Sequence, residues 1–161
     1  MDYLVNLSTL KPEPSLDKRL EKAGVTIRRA LAPELELVTG WVRRKFHPWW
    51  SSETAIAMSR QPPTCFLATR AEKLVGFSCH EAIARGFFGP TGVDEEARGL
   101  GIGHALLLAS LFDLRTMGYG YAIIGDVGPS EFYERTVGAT MIPNSEPGVY
   151  AGLLKSPPSD E

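Results

Sequence analysis

The residues with the clearest chemistry in this 161-residue chain are glycines. The run Arg98-Gly99-Leu100-Gly101-Ile102-Gly103-His104 places glycine at alternate positions, directly ahead of a strongly apolar stretch. Inside a helix each glycine would cost about 1 kcal/mol relative to alanine. At a strand-to-helix junction the same residues leave the backbone unshielded, so several N–H groups can converge on an anion. The positive end of the following helix adds ~0.3–2 kcal/mol toward a negative group. A hydrogen bond to a charged phosphate contributes about 1.5–3 kcal/mol more. Arg98 supplies a permanent cation at the same place. From Val93 to Leu107 the chain reads as a strand end, an anion-binding turn and a helix start suited to a pyrophosphate.

The spacing also says which phosphate patterns fail. A dinucleotide fingerprint GxGxxG needs glycine five residues after its first; counting from Gly99 that residue is His104, and from Gly101 it is Leu106. A nucleotide P-loop needs a Gly-Lys pair, which the chain lacks. A tight turn without any ligand remains compatible with the glycines alone.

Other functional classes find less support. Cys65 and Cys79 lie in apolar, strand-like stretches with no CxxC partner or ligand cluster, so no metal is expected. Free buried cysteines fit a reducing cytoplasm. A formal charge of −2 and no long basic run argue against a nucleic-acid partner. No apolar run approaches a membrane span, and the N-terminus lacks the pattern of a signal peptide, so no membrane association is expected.

The elements that must position the glycine turn follow from apolar periodicity and turn residues. Residues 1–23 read as an appendage: a strand candidate at Tyr3–Leu7, a proline-punctuated stretch, and a short helix over Leu16–Lys22. The main domain, residues 24–154, opens with a strand at Val25–Arg29 and a helix over Glu34–Phe46. His47-Pro48-Trp49-Trp50 interrupts it, and Ser51 or Ser52 caps a second helix. Strands follow at Thr64–Arg70, Lys73–Glu81 and Phe87–Val93, the first two joined by a tight hairpin at Ala71-Glu72. A long helix, apolar on more than one side, runs from about Leu100 to Met117 and stops at Gly118. After it come a strand at Tyr121–Gly125, a helix over Glu131–Val137 capped by Ser130, and strand candidates at Ala139–Ile142 and Gly148–Leu154. Residues 155–161 read as a disordered tail. The pattern predicts an α/β (α+β type) fold with a mixed, mostly antiparallel central sheet and helices on both faces.

With the motifs in this order the chain resembles the GNAT superfamily of acetyl-CoA-dependent N-acyltransferases over roughly residues 25–154. The pattern R/Q-x-x-G-x-G/A is met by Arg98, Gly101 and Gly103, between a strand ending at Val93 and a long apolar helix. A tyrosine-bearing helix after the next strand is met by Glu131-Phe132-Tyr133-Glu134-Arg135 leading into Gly138.

The resemblance implies acetyl-CoA as cofactor and direct attack of an amine on its thioester. By the same resemblance, the backbone of Val93 pairs with the pantetheine arm, and the amides from Gly99 through Leu100, Gly101, Ile102 and Gly103 to His104 wrap the pyrophosphate. Tyr133 lies near the sulfur as general acid. Asp126, at the end of the next strand, is the first choice for general base, with Glu81 and His80 as further candidates. Trp49, Trp50 and Glu53, in and after the turn between the first two helices, are expected to line the acceptor pocket, with Glu81 also facing the substrate. Two departures stand out: Tyr133 precedes Gly138 by five residues where four is commoner, and Gly128-Pro129 alters the approach to the last helix. The implied function is acetylation of a primary amine on a small molecule or peptide. Acetylation of a protein lysine or N-terminus, and a non-catalytic acyl-CoA sensor, are the alternatives. A homodimer is compatible with the sequence.

Overall fold

The structure is a computed structural model that describes residues 1–155. Among the described residues seven strands form a single sheet in the order β2-β3-β4-β5-β6-β1-β7. They are β1 (Tyr3–Asn6), β2 (Val25–Arg29), β3 (Cys65–Arg70), β4 (Lys73–His80), β5 (Phe87–Val93), β6 (Tyr121–Ile124) and β7 (Thr140–Met141). Five α-helices accompany them: α1 (Pro14–Lys22), α2 (Leu35–Lys45), α3 (Pro48–Met58), α4 (Ile102–Thr116) and α5 (Ser130–Val137). Every strand pair is antiparallel except β5 with β6. The mixed, mostly antiparallel sheet agrees with the sequence expectation.

Two cores hold the layers. One gathers the buried faces of α4 (Leu106, Leu107, Leu111, Leu114) with residues of α1, β1 and α5. The other places Val38, Trp41 and Val42 of α2 and Met58 of α3 against Leu67, Phe77 and Cys79 of β3 and β4. Apolar residues almost all round α4 are thereby enclosed by the sheet and by α1.

The parallel β5–β6 pairing extends over only Phe87↔Ile123 and Phe88↔Ile124. Beyond Phe88 the two strands part. Pro90 has no N–H to give to a ladder, while Gly92 and Val93 continue to pair with β4 on the other side. After Ile124, β6 ends in Gly125 and Asp126, the latter with φ +46°. The two strands therefore leave an opening between Gly89–Val93 of β5 and the end of β6.

Several expectations change. Residues 1–23 are no appendage: β1 lies inside the sheet between β6 and β7, and Val5 and Leu7 are fully buried. α3 begins at Pro48 rather than after Ser51, because His47 takes extended backbone angles and its side chain accepts from the Trp49 amide; Pro48 then fits the first helical position. α4 starts at Ile102, since Gly101 occupies the left-handed region at φ +90°. Ser130 is the first residue of α5 and makes no side-chain cap. The stretch Gly148–Leu154 is not a strand; a short 3-10 turn covers Gly148–Tyr150. Residues 156–161, most of the expected tail, lie outside the described residues. Among the described residues no helix is long and apolar enough to cross a membrane.

Candidate active site

Two hollows adjoin at Pro129, which lines both. The first, about 820 Å³, runs past the glycine turn. Val93, Arg98, Gly99, Gly101, Gly103 and His104 line it, as does the largely buried Ile102. Leu100 does not; its side chain packs against the core behind the turn. Gly99 and Gly101 have φ +87° and +90°, angles that a side chain with a Cβ rarely adopts. No side chain caps the N-terminus of α4, so its first-turn amides have no protein cap. Arg98 bends back so that its Nε donates to the Val93 carbonyl at 3.4 Å. Burial holds the His104 imidazole below its ordinary pKa, so the ring is neutral, and its Nε2 is buried without a hydrogen-bond partner. The set — open amides, exposed guanidiniums and an unpartnered ring nitrogen — suits an elongated anion such as the diphosphate of coenzyme A.

The second hollow, about 340 Å³, lies in the divergence itself. It brings Trp50, Glu53, Asp126 and Tyr133 together from α3, the end of β6 and α5. Trp49 lines an adjoining depression that shares Trp50, Glu53 and Asp126 with it. Trp50 is held by Phe46, whose ring stacks on it with centroids 5.5 Å apart. That ring in turn needs Gly92 in β5, where an added Cβ would fall 2.5 Å from Phe46 Cζ.

Tyr133 is 8% exposed and packs edge-on against Phe88 and Phe132. Burial pushes its hydroxyl up to about 12, so it stays protonated across the working pH range. Burial also raises the Glu53 carboxyl above the ordinary carboxylate range, although the Tyr150 hydroxyl donates to Glu53 Oε1 at 2.8 Å and opposes the shift. The Asp126 amide donates to Asp2 Oδ1 at 3.0 Å, tying the end of β6 to the chain's first residues.

Glu81 is not in this hollow. The register shift between Ser78 and His80 and the left-handed φ of +59° at Glu81 turn the chain away. Its carboxylate accepts from the Gly86 amide and from Tyr119 Oη instead. His80 is fully buried, with Nε2 2.6 Å from Asp113 Oδ2. Burial lowers its pKa, and Asp113 is itself fastened by Arg29 at 2.8 Å. For Asp113, burial acts upward, but hydrogen bonds from Arg29 and His80 outweigh it and hold the carboxyl low. This network belongs to the core and lines neither hollow.

Sequence reasoning missed Tyr150, which closes one wall beside Glu53, and Ile83 opposite. It also missed Glu13, Arg19 and Arg135 at the glycine-turn cleft. Of these only Arg135 falls within a motif read from the sequence, the tyrosine-bearing helix; the fold alone brings the others to the site. Among the described residues no cluster of three or more metal-ligating side chains occurs.

The model of the "Acetyltransferase (GNAT) family" matches residues 28–139. Over 84 residues the chain is 42% identical to a mycothiol acetyltransferase of Thermobispora bispora, covering 47% of this chain and 25% of that protein. Its fold is similar to a glucosamine N-acetyltransferase region of a fungal multi-domain β-N-acetylglucosaminidase (TM-score 0.69, 18% identity, 84% of this chain and 19% of that one). It is also similar to a GCN5-related N-acetyltransferase from Sphaerobacter thermophilus (TM-score 0.62, 20% identity, 86% and 47%). The aligned region thus spans a quarter of the mycothiol acetyltransferase and less than half of either solved chain.

Proposed function

Because the chain belongs to the acetyltransferase (GNAT) family, we propose that it moves an acetyl group from acetyl-CoA to a primary amine of a small cationic molecule or short peptide. The observation that carries this reading is the junction of the two hollows. The glycine-turn cleft can hold the diphosphate, and the divergence of β5 and β6 leads to Tyr133, Asp126 and Glu53. The hollow beside Trp50 and Glu53 holds about 340 Å³, room for a small acceptor, whereas a lysine presented on a folded protein surface would call for a long groove.

When bound, acetyl-CoA supplies an acyl thioester with a good leaving sulfur. The chain must do the rest. An amine with pKa ~10.4 is neutral about once in 2,500 molecules at pH 7, a cost of ~4.6 kcal/mol. Glu53 and Asp126 attract the ammonium form into the hollow, and the aromatic walls around it weaken hydration of that charge. We assign proton removal to Asp126 and cation recognition to Glu53. Tyr133 holds a proton at Oη that it can donate toward the leaving sulfur.

Free CoA release from acetyl-CoA, measured against polyamines, amino sugars and peptides, tests the reading. Tight CoA binding with no turnover on any amine would favour the sensor alternative; acetylation confined to protein lysines or N-termini would favour the protein-directed one.

Glu53→Gln separates recognition from stability. The substitution removes the charge that meets the amine, so KM for the acceptor should rise about tenfold or more, with kcat changed less. Stability should move the other way. The folded-state pKa of Glu53 is raised, so its contribution is fully present below the unfolded carboxylate pKa and is lost as pH rises through the folded value. At pH 7 wild type has lost it and the neutral glutamine has not. The variant's thermal midpoint at pH 7 should therefore equal or exceed that of wild type, and the difference should vanish in acid. A variant less stable at pH 7 with an unaltered KM would contradict both parts.

A further inference from the structure

The cofactor cleft has a cation that comes from outside the region matched by the family model. α1 lies across the start of α4: a Cβ added to Gly101 would fall 2.6 Å from both Arg19 Nη2 and Leu16 Cδ1. Leu16 is 4% exposed and anchors the helix in the core. Arg19, three residues on and on the same helical face, extends its guanidinium over Gly101 to the rim of the cleft.

Arg98 and Arg135 line the same cleft. Among the described residues none of these three guanidiniums takes part in an ion pair. Glu13 is the single carboxylate on the lining, and it is exposed to solvent. His104, the remaining titratable group there, is neutral. Three cations therefore gather at the positive end of a fifteen-residue helix, an arrangement that the helix dipole makes unfavourable by itself. An anion seated between them and the open amides converts that repulsion into attraction. Nothing in the packing of α1 demands arginine at position 19, since Leu16 and Leu20 already bury its apolar face.

Resting on the acyl-CoA reading above, we infer that Arg19 is a ligand of the cofactor's phosphates, so that the N-terminal helix forms one wall of the cofactor site. Residues 28–139 alone would make an incomplete one.

Calorimetric titration of the full chain with CoA tests this. Arg19→Gln should weaken CoA binding about tenfold or more, the loss expected for one charge-assisted hydrogen bond to phosphate. Arg19→Lys should recover part of it, keeping the charge without the fork. Arg19 is exposed, so the unfolding midpoint of both variants should match wild type, which distinguishes lost contact from lost fold. A parallel titration with 3′-dephospho-CoA finds the partner. A penalty that persists belongs to the diphosphate, and one that disappears belongs to the 3′-phosphate; both support the inference. Wild-type affinity in Arg19→Gln overturns it. If wild type itself fails to bind CoA, the acyl-CoA reading falls instead.

Discussion

Tyr133→Phe is expected to lower kcat by about 10²–10⁴-fold while leaving CoA affinity and the thermal midpoint near wild type. The ring is what packs: it meets Phe88 and Phe132 edge-on and is 8% exposed. Phenylalanine keeps those contacts, and the hydroxyl makes no hydrogen bond to another described residue, so its removal leaves no orphaned partner in the protein. A fall in kcat would therefore report the proposed role toward the reacting atoms. Burial also refines what that role is. A phenol pushed up to about 12 is a poor acid for a sulfur whose thiol has pKa ~8.5, and complete transfer would be uphill by roughly 5 kcal/mol at those values. Tyr133 is therefore best suited to donate a hydrogen bond that strengthens as charge develops on the sulfur, with the proton moving late or arriving from solvent. The alkaline limb of the pH–rate profile should accordingly not report Tyr133 below pH 10. Undiminished kcat in Tyr133→Phe, measured in single turnover, would remove the residue from the mechanism.

The glycine turn was legible in the sequence because its chemistry is local. Gly99, Gly101 and Gly103 act through their own backbone, and the left-handed angles at Gly99 and Gly101 are what alternate glycines permit. The limits of β2 and β5 were equally legible, because charge, glycine and proline punctuate those strands. Trp50, Glu53, Asp126 and Tyr133 were nameable one by one, but their meeting depends on β5 and β6 parting after Phe88, an event between segments more than thirty residues apart. Glu81 failed for the opposite reason. Period-two alternation would place it on a predictable face, but a register shift two residues earlier breaks the count. Arg19 and Tyr150 carry no local signal at all. One falls in the short helix read over Leu16–Lys22 and the other in the strand candidate Gly148–Leu154, and each acquires a role only from the element against which it lies.

Deleting residues 1–7 is expected to abolish the cooperative fold, although the sequence reads them as part of an appendage. β1 pairs with β6 at four positions and is the sheet partner of β7. Without it β7 has no strand to bind, and β6 exposes the backbone edge that β1 had satisfied. Val5 and Leu7 are each fully buried, and burial of such side chains contributes about 1.5–3 kcal/mol apiece. Each buried N–H or C=O left unpaired costs about 1–3 kcal/mol more. Several such losses together reach the whole stability of an ordinary domain, about 5–15 kcal/mol. The site depends on the same segment. Asp2 Oδ1 accepts from the Asp126 amide, and the Asp2 amide donates to Ser145 Oγ at 2.7 Å. The same residue therefore fixes the candidate base and the C-terminal segment that brings Tyr150 to Glu53. Differential scanning calorimetry and near-ultraviolet circular dichroism should show no native transition for the truncated chain. Leu7→Ala, a milder form of the same insult, should remain folded but lose about 2–5 kcal/mol. A truncated chain that melted at the wild-type temperature would show that β6 and β7 can close the sheet by themselves. The short, two-residue β7 gives no physical means for them to do so.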